Sequence, residues 1–424
     1  MISKTPKLDL LFKIIDKNKE AVEKKHVAVL DIARIFSKEI KKILIEKKLI
    51  GNLKYTGAKF WKKEGQYKKV AFVDGGSKTT NSTPYDKTLI VQAGYYLTDP
   101  HNNQIKKDMS FSLVEDFFEK SEIFEDEEGF KFDELTRKMM TTARIIMEMA
   151  TIISLIYKKE KINNIFLHGP LQSRAVYFAE GVLNDEMLLP PFKEEKVMEF
   201  LPFLNKKEKL SERQRSFVNI YRKCQEYIKE SNFNVYGVIE KKSAAIYITD
   251  LLKESMEDKI ISEDEYKKLL QTIFENKFTD NKIFDLILEP NQFLHSRLIN
   301  KQKLQNDEYA TYPEDILRFP KIYIGYIKFN KSDPVRMESF KKPEINDLEY
   351  LLHSGRLLPN YGYPVGLQIV DAFVRVPTAF SKIVNKRRFL YLQKALKEKD
   401  YKAVSFFAKS FLGYRERIFF KRPK

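Results

Sequence analysis

The sequence predicts an α/β fold built on a mixed sheet flanked by helices. Three observations predict it. Short runs of β-branched and aromatic residues read as strands at KKVAFVD (68–74), TLIVQAGYYL (88–97) and NNIFLHG (163–169). Long stretches with apolar residues at helical spacing lie between and around them, the longest at about 133–158. The resulting order is three strands, a helix, a strand, a helix and further α/β material, which is the pattern of a layered α/β domain rather than of separate all-α and all-β units.

Residues 7–46 open the chain with a helical pattern (Leu10, Leu11, Ile14, Ile15, then Val29, Ile32, Ala33, Phe36) set among lysines and glutamates, so 1–50 is expected to form an N-terminal helical arm, used for packing or for dimerisation. Strands follow at 68–74 and 88–97, with a weaker one at 106–114 (KKDMSFSLV). The acidic stretch EIFEDEEGF (122–130) reads as a solvated loop. After the helix at 133–158 come the strand at 163–169 and a helix at 173–182. The Pro-Pro turn near 190 and charged helices follow, then a strand at NVYGVIE (234–240) and helical patterns through 242–275. Residues 190–320 are expected to hold a helical insertion within a main domain of 51–380. KIYIGYIKF (321–329) and PVRMESF (334–340) pair as strands, and helices cover about 344–357 and 365–376. The end, 381–424, is a basic tail with interleaved aromatics, read as helical.

Composition narrows the function. With 424 residues, 43% hydrophobic and 13% aromatic, the chain can bury a large core. Its formal net charge of +17 suits a polyanionic partner such as nucleic acid, or reflects lysines that merely solvate the surface. The single cysteine, Cys224, excludes a disulfide framework and a cysteine-based zinc cluster. The N-terminus lacks a signal-peptide pattern, and the most apolar stretch (143–157) is short and carries Glu148, so a cytoplasmic, non-membrane protein is expected. GxxxxGK[ST], HExxH and GxSxG motifs are all absent, so no Walker-type ATPase, zincin or serine-hydrolase elbow is expected.

Two strand-like runs stop in similar ways. VAFVD is followed by Gly75 and Gly76, and IFLH by Gly169. A carboxylate at a strand end next to glycines is a common way to present a metal ligand, although Asp-Gly also closes hairpins. Glu148 lies on one helical stripe with Ile145, Ile152 and Leu155; a carboxylate on a buried stripe requires a cation, either a metal or Arg144 four residues before it. His168 repeats the strand-to-glycine context of Asp74. Lys241, Lys242 and Ser243 follow a strand and could meet a phosphate. Tyr363 and Asp371 lie in YPVGLQIVDA, eight residues and about two helical turns apart.

In their order, VDGG (73–76), RIIMEMA (144–150), HGPL (168–171), GVIEKKS (237–243) and YPVGLQIVDA (363–372) resemble the NurA family of nucleases, over roughly residues 68–375. The resemblance implies an RNase H-like fold and a nuclease that trims 5′ DNA ends as a homodimer beside a HerA-like hexameric ATPase. It implies Asp74 and Glu148 as ligands of Mn²⁺ or Mg²⁺, Tyr363 as an orienting hydroxyl, and Lys241 as a phosphate contact. The family has Asp-Gly where this chain has His168-Gly169, and a histidine where this chain has Asp371. An exchange of the two residue types, with both facing one metal cluster, is expected, together with a preference for manganese because imidazole suits it better than magnesium. Loss of the aspartate by decay is the competing account. A catalytically silent DNA- or ATPase-binding subunit and a basic nucleic-acid-binding scaffold are the alternative functions. Break repair and phage defence are the two biological settings considered.

Overall fold

The computed structural model describes residues 6–61, 69–83, 86–99, 104–118, 129–157, 162–173, 217–240, 244–299, 319–357 and 362–377, with four more at 393–394 and 397–398. Its strands are β1 (Ile50–Asn52), β2 (Lys69–Thr83), β3 (Asp86–Asp99), β4 (Gln104–Phe118), β5 (Ile162–His168), β6 (Asn234–Ile239), β7 (Gln292–Ile299), β8 (Ile322–Ile327) and β9 (Val335–Ser339). Its helices are α1 (Pro6–Glu46), α2 (Ala58–Trp61), α3 (Gly129–Tyr157), α4 (Phe217–Glu230), α5 (Ile246–Glu257), α6 (Glu263–Asn276), α7 (Asp280–Ile287), α8 (Ile345–Gly355) and α9 (Val365–Val374).

All nine strands join one mixed sheet in the order β1-β7-β8-β9-β6-β5-β2-β3-β4. β2, β3 and β4 form an antiparallel meander, β5 and β6 continue it in parallel, and β9, β8, β7 and β1 complete it antiparallel. This is the expected α/β architecture, a mixed sheet flanked by helices.

Alternation along the strands divides the core between two faces. Ala71 and Val73 of β2 pack with α3, α1 and the α4–α7 helices, while Val70 and Phe72 pack with α8 and α9. The second half of α3 is buried on all sides, and from Thr142 to Ile156 only Arg144 is not buried. The stretch Met140–Tyr157 is long and apolar enough to cross a bilayer, yet most of it lies inside the protein.

Several elements differ from the sequence reading. The strands β2, β3 and β4 are longer than their apolar runs, because hairpin pairing continues through polar residues such as Ser77 and Lys78 once the ladder is in register. Asp74 therefore sits within a strand instead of ending one. The region 190–320 contributes β6 and β7 to the central sheet, so its described helical part between them is α5–α7. The second half of α1 buries Ala33, Phe36, Ile40, Ile43 and Leu44 in the main core and so belongs to the body. Asp280, fully buried at the start of α7, accepts the Tyr247 and Ile248 amides at 2.9 and 3.0 Å and the Tyr326 hydroxyl at 2.9 Å, capping α5 from outside that helix. The stretches 174–216 and 241–243, and the basic tail apart from four residues, lie outside the described residues.

Candidate metal centre

Two neighbouring parallel strands bring Asp74 and His168 together. Val73 of β2 is level with Leu167 of β5, so the next residue on each strand lies at the same height. By alternation Asp74 shares the face of Phe72, and His168 shares that of Phe166. At Gly169 the backbone turns with φ +139, a left-handed value that favours glycine, and β5 ends. Asp74 is 2% exposed. Its Oδ1 accepts the Gly75 amide at 2.7 Å, and its Oδ2 lies 2.9 Å from His168 Nδ1.

The third member arrives on α9, which crosses the same face. Two close approaches seat this helix. A Cβ on Gly366 would come within 2.2 Å of the Phe72 ring, and a Cβ on Gly76 within 1.9 Å of the Val374 carbonyl oxygen. That carbonyl also accepts Gln92 Nε2 of β3 at 2.6 Å. Asp371, one turn before Val374, is thereby held beside Asp74. Asp74, His168 and Asp371 each present a ligand atom, and all three atoms lie within 4.8 Å of one another. That spread is about twice the metal–oxygen distance of a divalent cation, ~2.1–2.6 Å. Two carboxylates and one imidazole form a donor set suited to a transition divalent ion such as Mn²⁺.

Glu148 approaches from the opposite face on α3 and stands outside this trio. Its Oε1 accepts Arg144 Nη1 at 2.9 Å, and a Cβ on Gly75 would meet the same oxygen at 2.6 Å. Both sources of positive charge that the sequence offered, the metal site and Arg144, thus lie within its field. Burial raises the Glu148 carboxyl to about 7; Arg144 opposes the rise, the Asp74 charge adds to it, and His168 and the Gly75 backbone oppose it. Burial works against a charge on His168, but the hydrogen bond and charge of Asp74, with Asp371 and Glu148 behind them, outweigh it and raise its pKa. The site favours positive charge at its centre.

Tyr363 packs its ring 5.4 Å from the His168 ring, while its hydroxyl donates to the Val238 carbonyl at 3.1 Å. Burial, then Glu240, Asp74 and Asp371, push that phenol well above its ordinary value. Its geometry wedges His168 with the ring, and the hydroxyl is occupied by the backbone of β6. Lys241, Lys242 and Ser243 lie outside the described residues. Three contributors were not singled out in the sequence: Gln92, Gly366 and Arg375, whose Nη2 lies 2.7 Å from Asp371 Oδ2. Only Arg375 leaves a signal there, as a cation four residues after an aspartate in a helical pattern.

No protein-family model matches the chain, and no curated protein matches it. Comparison of structures does find relatives. The crystal structure of the NurA nuclease from Sulfolobus solfataricus superposes with a TM-score of 0.53 at 15% identity, covering 91% of this chain and 98% of that one. A second crystal structure, described as NurA, covers 84% of this chain and 94% of its own at 14% identity, with a TM-score of 0.40.

Proposed function

We propose, from a chain that has a NurA-like fold, that this protein is a metal-dependent deoxyribonuclease. One observation carries the reading: Asp74, His168 and Asp371, from three separate elements, converge within 4.8 Å where β5 stops against a longer β2. Aspartate and histidine have exchanged places relative to the family pattern, and the convergence supports exchange over decay because both residues still face one point. Asp74, His168 and Asp371 would hold the cation, with Glu148 available from the other face. The ion supplies Lewis-acid activation of water and charge to offset the phosphodiester. Mn²⁺ is the favoured ion, with Mg²⁺ as the alternative.

The protein's own groups prepare the site. Asp74 fixes the His168 ring through Nδ1, and the Tyr363 ring limits its swing. Arg144 offsets the buried Glu148 carboxyl. The net charge of +17 supports a nucleic-acid substrate, with Lys241, Lys242 and Ser243 as further phosphate contacts. On the sequence resemblance to the NurA family, the enzyme would work on DNA ends in the cytoplasm, in a resection role of the 5′-end type, as a homodimer docked on a HerA-like hexameric ATPase. Break repair and phage defence both accommodate that activity.

The test is cleavage of linear duplex and single-stranded DNA by the purified protein with Mn²⁺ or Mg²⁺, with and without its cognate ATPase. Manganese-dependent cleavage that disappears in Asp74→Ala is expected. Retained DNA binding with no cleavage under any condition would replace this reading with that of a silent subunit.

A further inference from the structure

Two guanidiniums flank the centre, and they are held differently. Arg144, 30% exposed, reaches both Glu148 at 2.9 Å and the Gly75 carbonyl at 3.5 Å. Arg375, 73% exposed, pairs with Asp371, which is itself 39% exposed. Its backbone is nevertheless well placed. Arg375 follows the last residue of α9, and its Cα would lie 3.4 Å from a Cβ on Gly76. The carbonyl just before it is tied to Gln92. An exposed cationic head thus stands on a fixed base at the rim of the trio.

An arginine at a helix C-terminus is often explained by the macrodipole. Here the guanidinium goes instead to the carboxylate that belongs to the candidate metal centre. Asp371 therefore has two competing partners, Arg375 and a divalent cation. An exposed ion pair is weak, so the cation wins the competition readily. A released guanidinium keeps a planar fork matched to phosphate oxygens.

We propose that Arg375 is a phosphate-binding residue held in reserve by Asp371: occupation of the centre by a divalent cation frees it to bind the backbone of a DNA strand lying across the site. The proposal rests on the nuclease reading above and adds a cation-dependent contact to it.

The experiment measures binding of a short labelled DNA duplex by anisotropy across a range of salt. One buffer contains Ca²⁺, a divalent probe chosen to allow binding without turnover, and the other contains EDTA. With Ca²⁺, Arg375→Ala is expected to bind about tenfold more weakly than the natural protein. The slope of log K against log salt should fall by about 0.9, the value for one lost phosphate contact. Arg375→Lys should recover most of that slope, and in EDTA all three proteins should coincide. A second arm needs no DNA: Mn²⁺ titrated into Arg375→Ala should bind more tightly, because Asp371 has lost its competing partner. Equal slopes in Ca²⁺, an equal loss in EDTA, or unchanged Mn²⁺ affinity would each overturn the proposal while leaving the nuclease reading intact. Failure of the natural protein to bind DNA in either buffer overturns the nuclease reading and the proposal together.

Discussion

Replacing Gly76 with alanine should damage the centre without altering any ligand. The new Cβ would lie 1.9 Å from the Val374 carbonyl oxygen and 2.9 Å from its carbon, whereas real Cβ contacts essentially never fall below 3.0 Å. The carbonyl must therefore retreat by about 1.1 Å at least, and the obstacle is backbone that has no alternative rotamer. That movement strains the hydrogen bond from Gln92, worth ~1 kcal/mol, and adds an overpacking cost of ~1–3 kcal/mol. A stability loss of about 2–4 kcal/mol follows. The displaced end of α9 carries Asp371, one turn back, away from Asp74. Misplacement by about 1 Å commonly costs two orders of magnitude in a catalytic centre. Mn²⁺ affinity by calorimetry should fall at least tenfold, DNA cleavage about a hundredfold, and the thermal midpoint by several degrees. Wild-type Mn²⁺ affinity in a Gly76→Ala protein of unchanged thermal midpoint would refute the claim that this contact seats Asp371.

Three further outcomes are expected. His168→Asp and Asp371→His should each impair cleavage, and the double variant should recover activity relative to both, as read by initial rates; a double variant no better than the worse single one argues against exchange. Arg144→Met removes the partner of a buried carboxyl, so unfolding by denaturant should show a loss of ~1–3 kcal/mol at pH 8 and a smaller loss at pH 6, where Glu148 is already mostly neutral. Asp280 should make stability fall with rising pH: burial lifts its folded-state value from 3.8 to about 6, so folding takes up a proton between those values. About 3 kcal/mol is lost across that window as pH rises, and Asp280→Asn, compared by denaturation from pH 4 to pH 7, should flatten the slope.

The side chains that meet in the candidate centre were legible because they lie in local patterns. Asp74 and His168 each follow an apolar run and precede a glycine, and Asp371 falls on an apolar helix, so their types and approximate element positions could be read from short windows. Gly75 and Gly76 were read only as the motif that follows Asp74, and Gly366 was not read at all, because the atoms these glycines face are not accessible from local sequence. Gly76 faces a carbonyl almost 300 residues later in the chain, and Gly366 faces the ring of Phe72. Contacts of that separation have no periodicity to reveal them. The lengths of β2, β3 and β4 were hidden for a related reason: a hairpin can extend through polar residues by backbone pairing alone, and apolar runs mark only the buried part. The resemblance implied an orienting role for the Tyr363 hydroxyl, whereas the fold turns that hydroxyl onto the Val238 carbonyl of β6.

The unequal lengths of β2 and β5 have a consequence for the backbone itself. Parallel pairing between them ends at Val73 and Leu167, yet β2 runs on to Thr83. Beyond Val73 β2 has no paired β5 residue beside it, and the Gly75 amide just past that point is donated to the Asp74 carboxylate. The step in the sheet thus coincides with a peptide group that contributes to the charge balance around the carboxylates.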